Sequence, residues 1–217
     1  MSVRLLVASR NASKLAELRR VLESEGIVGI EPVGLDEVPE FPEEAEDGAT
    51  FVENARLKAR SGARATGLPC LADDSGLAVD ALNGMPGVLS ARWSGRHGDD
   101  AANNDLLLAQ LADVPDERRG AAFVSACALV WPGENAGQSF TSGPDGAETA
   151  EEGRWSGQVL RAPRGEGGFG YDPLFLPEGS ERAAAELTAA KKDADSHRGR
   201  ALRALVPALR ELAERAG

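Results

Sequence analysis

The stretch Val3-Arg4-Leu5-Leu6-Val7-Ala8-Ser9-Arg10-Asn11-Ala12-Ser13-Lys14 sets the reading of this 217-residue chain. Val3 to Ala8 is a short, nearly continuous apolar run, the pattern of a buried strand. Ser9 to Lys14 is polar. Leu15, Leu18, Val21 and Leu22 then recur at helical spacing, and Gly26 follows as a C-terminal cap. A strand, a polar loop and a helix in that order open an α/β fold.

The pattern continues outward from there. Residues 36 to 48 are acidic and carry Pro39 and Pro42, so a loop is expected. Thr50-Phe51-Val52-Glu53 has capping-box spacing, and Phe51, Ala55, Ala59 and Ala63 extend one helical face up to Gly67. Leu68 to Ala72 reads as a second strand that stops at Asp73-Asp74-Ser75-Gly76. Leu77 to Leu82 reads as a further short strand closed by Asn83-Gly84. Residues 84 to 104 form a long connection, and Leu106, Leu107 and Leu111 belong to another helix. Ala121 to Trp131, Gln138 to Thr141 and Trp155 to Arg161 read as strands of an antiparallel segment, and Leu174 to Leu176 adds one more. Leu202, Leu205, Val206, Leu209 and Leu212 form the apolar stripe of a final helix, started by Asp195 or Ser196 and kinked at Pro207. The expected class is α/β: a central mixed twisted sheet with flanking helices. Residues 1 to 217 form a single domain whose β-rich middle is the candidate for a second lobe.

Composition narrows the function classes. The net charge is -11. Nucleic-acid affinity rests largely on neutralising phosphates with Lys and Arg, so no nucleic-acid partner is expected, and an anionic membrane is disfavoured equally. A small polyanion is still admissible, since a few local donors and a metal ion suffice for it. No segment approaches the ~20 apolar residues of a membrane span, and Val3 to Ala8 is too short for a signal sequence, so the expected location is cytoplasmic. Cys70 and Cys127 sit in apolar runs. Buried free thiols are expected, with a disulfide as the alternative, and no Cys and His cluster has zinc spacing.

Several segments can carry chemistry. Between a strand and a helix start, Ser9 to Lys14 aims backbone N–H groups and the helix dipole at one point. Asn11, Ser13 and Lys14 add donors and a positive charge suited to a triphosphate, although the glycines of a Walker A loop are missing. Plain capping is the alternative, with Ser13 as N-cap, Asn11 in a turn and Lys14 solvated. Asp73 and Asp74 are costly to bury without a cation. At a strand end they suit a hard cation such as Mg²⁺, which takes one or two carboxylates plus waters and phosphates. One of them could accept a proton from water. The alternative is a carboxylate capping the Ser75-Gly76 turn. Glu43, Glu44, Glu46 and Asp47 offer a further metal ligand or a solvated acidic loop, and Glu53 has its own role as the capping-box partner of Thr50.

Gly165-Glu166-Gly167-Gly168-Phe169-Gly170 matches G-x-G-x-x-G. A dinucleotide site fails here because the motif should open a helix, whereas Tyr171-Asp172-Pro173-Leu174-Phe175 reads as loop and strand. A glycine-rich turn with Phe169 and Tyr171 could wrap a flat base, or it could be a tight turn with core aromatics. His197 and Arg198 fall in the first turn of the last helix, where basic side chains oppose the dipole. An anionic or carbonyl-bearing ligand would compensate; surface basic residues beside Asp193 and Asp195 are the alternative.

Taken together, the segments resemble the inosine triphosphate pyrophosphatase family. The resemblance is carried by Ser9 to Lys14, Gly48-Ala49-Thr50-Phe51-Val52-Glu53-Asn54-Ala55, Ala72-Asp73-Asp74-Ser75-Gly76-Leu77, Pro86-Gly87 with Ser90-Ala91-Arg92, Pro163-Arg164-Gly165, Gly168-Phe169-Gly170-Tyr171-Asp172-Pro173 and Ser196-His197-Arg198. They stand in the family's order along nearly the whole chain. The resemblance implies two lobes with a cleft between them, a homodimer, and hydrolysis of a purine nucleoside triphosphate such as ITP, dITP or XTP to the monophosphate and pyrophosphate. It implies that Ser9, Arg10, Asn11, Ala12, Ser13 and Lys14 bind the triphosphate, and that Asp74 is the catalytic acidic residue and a magnesium ligand. Ser75 would touch the substrate. Phe169, Gly170, Tyr171 and Asp172 would enclose the base, Lys192 would bind the substrate, and His197 and Arg198 would read the purine 6-oxo group. The remaining metal ligand would be Glu46, with Glu44 in reserve. Two other readings stay open: a nucleotide-binding protein without catalysis, and a nucleotide-cofactor oxidoreductase resting on the glycine motif alone.

Overall fold

The structure is a computed structural model that describes residues 2–42, 44–131, 147–188, 191–192 and 195–215. The expected strand Gln138 to Thr141, Glu43 and Asp193 lie outside the described residues. Six strands form one sheet: β1 (Val3–Val7), β2 (Ile30–Val33), β3 (Cys70–Val79), β4 (Gly120–Trp131), β5 (Ala147–Val159) and β6 (Phe175–Pro177), in the order β2-β1-β3-β4-β5-β6. β1 is parallel to β2 and β3, and β5 is antiparallel to β6, so the sheet is mixed as expected. Helices among the described residues include α1 (Ala12–Ser24), α2 (Phe51–Thr66), α3 (Asp100–Gln110), α4 (His197–Ala204) and α5 (Val206–Arg215). None of the described helices is long and apolar enough to cross a membrane.

The chain divides into two compact units. The first comprises residues 1–74, 126–153 and 198–217. Its strands alternate faces with the period of two that the pleat imposes. Leu5 and Val7 of β1 and Leu71 of β3 pack with Leu18, Val21 and Leu22 of α1 and with Leu202, Leu205, Leu209 and Leu212 of the C-terminal helices. On the other face lies α2, where Gly62 lets the helix approach so closely that a Cβ there would stand 2.6 Å from the Cys70 sulfur. The helix ends are built by side chains. Thr50 and Glu53 form the expected capping box, and Gly67 terminates α2 at φ +69°. Asn11, rather than Ser13, caps α1. The final helix breaks after Ala204 and resumes at Val206, as the missing N–H of Pro207 requires.

The second unit comprises residues 75–125 and 154–197. Leu107 and Leu111 of α3 pack with Leu77, Val79, Phe123, Trp155, Val159, Tyr171, Leu174 and Phe175. Arg119 is buried here, and Asp116 acts on it electrostatically. Its guanidinium donates to the carbonyls of Leu111, Val159 and Leu160, tying the end of α3 to the end of β5.

Two sequence expectations need correction, and one strand lies where no element was expected. β3 runs unbroken through Asp73-Asp74-Ser75-Gly76, so Leu68 to Ala72 and Leu77 to Leu82 are not separate strands. Gly76 is there for close packing: a Cβ would lie 2.3 Å from Ser90 Oγ and 2.6 Å from the Gly87 carbonyl oxygen. Ser90 Oγ, for its part, accepts from Leu77 N. β2 has no counterpart in the sequence reading, and Pro32 within it argues against a strand. β2 is the sheet edge, where a missing N–H costs no ladder bond. Within residues 84–104, a 3-10 turn spans Gly87–Arg92 and α3 begins at Asp100.

Candidate active site

In the first unit the site starts where β1 ends. The last rung between β1 and β3 pairs Val7 with Leu71, and Ala8 N donates to the Leu71 carbonyl at 2.9 Å. Beyond it β1 turns into the Ser9–Lys14 loop while β3 continues without it to Asp73 and Asp74. Asn11 Oδ1 accepts from Ser13 N at 3.0 Å and from Ser13 Oγ at 2.7 Å, and Asn11 N donates to Ser9 Oγ at 3.2 Å. Arg10, Asn11, Ala12 and Ser13 are exposed, whereas Ser9 and Lys14 are half-buried. The loop thus caps α1 and still leaves its surface to solvent.

Asp73 is 3% exposed and faces the α1 side. Its Oδ2 lies 2.7 Å from Lys14 Nζ and 3.3 Å from Arg198 Nε. Burial alone would raise its pKa, but the charges of Lys14 and Arg198 override that and hold the carboxyl down at about 2. Arg198 is itself buried, pairs with Glu17 through Nη1, and donates from Nη2 to the Lys14 carbonyl at 3.3 Å. Burial would lower the Arg198 pKa, yet Asp73 and Glu17 raise it. The compensation that a basic side chain needs at a helix start is therefore supplied here by two carboxylates of the chain.

Asp74 faces α2. Its Oδ2 accepts from Asn54 Nδ2 at 3.0 Å, and its Oδ1 lies 3.1 Å from Lys58 Nζ. The same ammonium is 3.0 Å from Glu46 Oε1. Burial pushes the Asp74 pKa up, Lys58 and the Asn54 bond pull against it, and Glu46 adds to the rise. Lys58 is raised in turn: burial would lower it, but Asp74 and Glu46 prevail. Glu44 stands apart, 3.4 Å from the exposed Arg64. Asn54 also accepts from Gly48 N at 2.8 Å, so it ties the loop before α2 to the carboxylate. Asn54 and Lys58 were not singled out from the sequence. The available signal was their spacing: polar residues one turn apart on an alanine-rich helical face.

Fit to a divalent metal can be judged on this donor set. Asp74 and Glu46 are hard oxygen donors drawn to one cation, the Lys58 ammonium, and burial keeps the Asp74 carboxyl raised in spite of it. Two carboxylates, with waters and phosphate oxygens completing the shell, suit Mg²⁺. No larger cluster of His, Cys, Asp and Glu occurs among the described residues.

In the second unit Gly168 and Gly170 have φ +79° and +61°, and the loop they shape leads into a 3-10 turn at Asp172–Leu174, not a helix. Phe169 is 69% exposed. Asp172 is buried and accepts from Phe169 N at 2.8 Å and from Lys192 Nζ, whose charge lies 5.0 Å from the Phe169 ring centre. Tyr171 is buried and its hydroxyl donates to the Ser90 carbonyl at 2.9 Å. His197 stacks on Phe123 at 5.1 Å. Ser75, half-buried in β3, is the first residue of this unit. Both cysteines are buried free thiols.

These observations define an α/β protein with a carboxylate–ammonium centre past the C-terminal end of its first parallel strand. The chain belongs to the Ham1 family, whose sequence pattern matches residues 5–208. It is 68% identical over 212 residues to the dITP/XTP pyrophosphatase of Nocardia farcinica, covering 98% of this chain and 97% of that one. A crystal structure of the nucleoside-triphosphatase / dITP/XTP pyrophosphatase of Mycobacterium abscessus has a TM-score of 0.77 at 64% identity, covering 96% of this chain and 100% of that one. The HAM1 protein of Coxiella burnetii has a TM-score of 0.81 at 42% identity, covering 96% and 99%.

Proposed function

We propose that this protein is a nucleoside triphosphate pyrophosphohydrolase that converts dITP, ITP and XTP to the monophosphate and pyrophosphate. The names of relatives at 68% and 64% identity over nearly the whole chain support the reaction. The observation that carries the chemistry is Asp74, a buried carboxylate with a raised pKa, beside Lys58 and Glu46.

In this reading Asp74 takes the proton of a water that attacks the α-phosphorus, and the bond from that phosphorus to the bridging oxygen breaks to release pyrophosphate. A carboxyl raised above its ordinary value is the better base of the pair, whereas Asp73 at about 2 is committed to Lys14 and Arg198. Mg²⁺ would be held by Asp74 and Glu46, and when bound it offsets negative charge on the phosphates. Lys58 keeps those two carboxylates together. Ser9, Arg10, Asn11, Ala12, Ser13 and Lys14 offer α1 N-terminal donors and cationic charge to the triphosphate. Phe169 offers an exposed ring for stacking on the base, with Gly170, Tyr171, Asp172 and Lys192 shaping its surroundings, and Ser75 contacts the substrate. His197 and Arg198 read the 6-oxo group. The three protein contacts of Arg198 leave some of a guanidinium's five N–H groups for a carbonyl. A 6-amino base offers no acceptor there, and an unpaired buried donor costs on the order of several kcal/mol.

A cytoplasmic homodimer acting on free nucleotides completes the proposal. The net charge of -11 supports a partner other than nucleic acid or an anionic membrane. The test is pyrophosphate release from ITP, dITP, XTP, ATP and GTP, with magnesium and with chelator. Metal-dependent release from ITP, dITP and XTP in preference to ATP, which lacks the 6-oxo group, is expected; release from none of them by folded protein overturns the assignment.

A further inference from the structure

We propose that Asp100 and Asn104, one turn apart on α3, are positioning residues that clamp the Gly170 peptide and so set where the Phe169 ring stands. Gly170 N donates to Asp100 Oδ2 at 2.6 Å, and Gly170 O accepts from Asn104 Nδ2 at 2.9 Å. Both polar groups of one peptide residue are thus engaged by side chains of a single helix. The carbonyl fixes the orientation of the Asn104 amide, because only its nitrogen can donate. Asn104 Oδ1 is then left buried with no hydrogen-bond partner among the described residues, a cost that its donor contact must offset. Asp100 is reached without strain because Asp99 takes the N-cap role, accepting from Ala102 N, which leaves the Asp100 side chain for the loop.

The loop needs such a clamp. Gly168 and Gly170 both stand at positive φ, where glycine gives no side-chain restraint. Phe169 is largely exposed, so packing does not hold its ring. Asp172 secures Phe169 N from the C-terminal side. Asp100 and Asn104 secure the next peptide from α3, and Tyr171, whose hydroxyl pKa is raised by burial and by the Asp100 charge, anchors the loop to Ser90. The ring is therefore held at both flanks. A ring held in place stacks on a flat base without first losing conformational freedom, which favours binding over turnover.

This inference takes its ligand from the proposed function. The test compares Asp100→Ala, Asp100→Asn and Asn104→Leu, each alone and combined with Phe169→Ala, in steady-state hydrolysis of ITP and by amide exchange at Gly170. Loss of one such hydrogen bond corresponds to a rise of about three- to tenfold in KM with kcat held within about twofold. Asp100→Asn keeps an oxygen acceptor and restores KM toward wild type. In the Phe169→Ala background the α3 substitutions add little, since they act through the ring. Full additivity with Phe169→Ala, or a fall in kcat at unchanged KM, overturns the proposal. If wild-type protein hydrolyses no nucleotide, the functional reading fails and the clamp is still read by exchange: unchanged protection of Gly170 N–H in Asp100→Ala overturns it.

Discussion

Asp73 and Asp74 are adjacent in the chain, leave β3 on opposite faces, and are driven to opposite acidities. Asp73 meets Lys14 and Arg198 and is held down at about 2, while Asp74 meets Asn54 and Lys58 and is raised. The strand pleat alone separates them. One carboxylate becomes a permanent counter-ion for two cations, and the other is left able to exchange a proton.

Asp74→Asn keeps the shape of the side chain and removes the base. Turnover should fall by about 10²- to 10⁴-fold, the usual worth of a positioned base. Thermal unfolding should move little, because burial already disfavours the charged form of Asp74. Wild-type pyrophosphate release by this variant would refute the role.

Lys58 lowers the pKa of Asp74 against the effect of burial. Lys58→Met removes that pull, so the acid limb of the pH–rate profile should move to higher pH. Activity is lost on that limb as Asp74 takes up a proton. A limb that stays in place, or moves to lower pH, would show that another group sets it.

Asp73 is depressed from 3.8 to about 2 in the folded chain. Its ion pairs therefore stabilise the fold above the ordinary carboxyl pKa, and this contribution is lost as pH falls through about 2. By linkage it amounts to about 2 kcal/mol at neutral pH. Asp73→Asn should lose stability of that order at pH 7 and flatten the acid side of the stability curve, as read by urea unfolding between pH 7 and 2.

Gly76→Ala places a methyl group 2.3 Å from Ser90 Oγ and 2.6 Å from the Gly87 carbonyl. Backbone lies on one side, so the clash cannot be relieved by a rotamer change alone. A loss of about 1 to 3 kcal/mol is expected from overpacking, measured by denaturant unfolding.

Much of this was legible from local pattern. The apolar run at Val3, the capping box at Thr50 and the leucine spacing before Leu212 are local features, and local sterics and capping dictate their elements. The acidic pair was visible as a costly feature, and so was the mismatch of Arg198 with its helix end. Its neutralisation by Glu17, 181 residues away in sequence, was not.

What the sequence by itself determined is the α/β class, most helices and the presence of a costly acidic pair at Asp73 and Asp74. What only the tertiary structure decided is how those residues are paired. The turn weighed at Ser75-Gly76 is continuous strand, with Ser90 and Gly87 packed against Gly76. Pro32 is tolerated because β2 is an edge. The acidities of Asp73 and Asp74 differ because α1 and α4 bring cations to one face, whereas α2 brings Asn54 and Lys58 to the other. Propensity and spacing act over a few residues, but charge, burial and close packing depend on whatever the fold brings within a few ångströms.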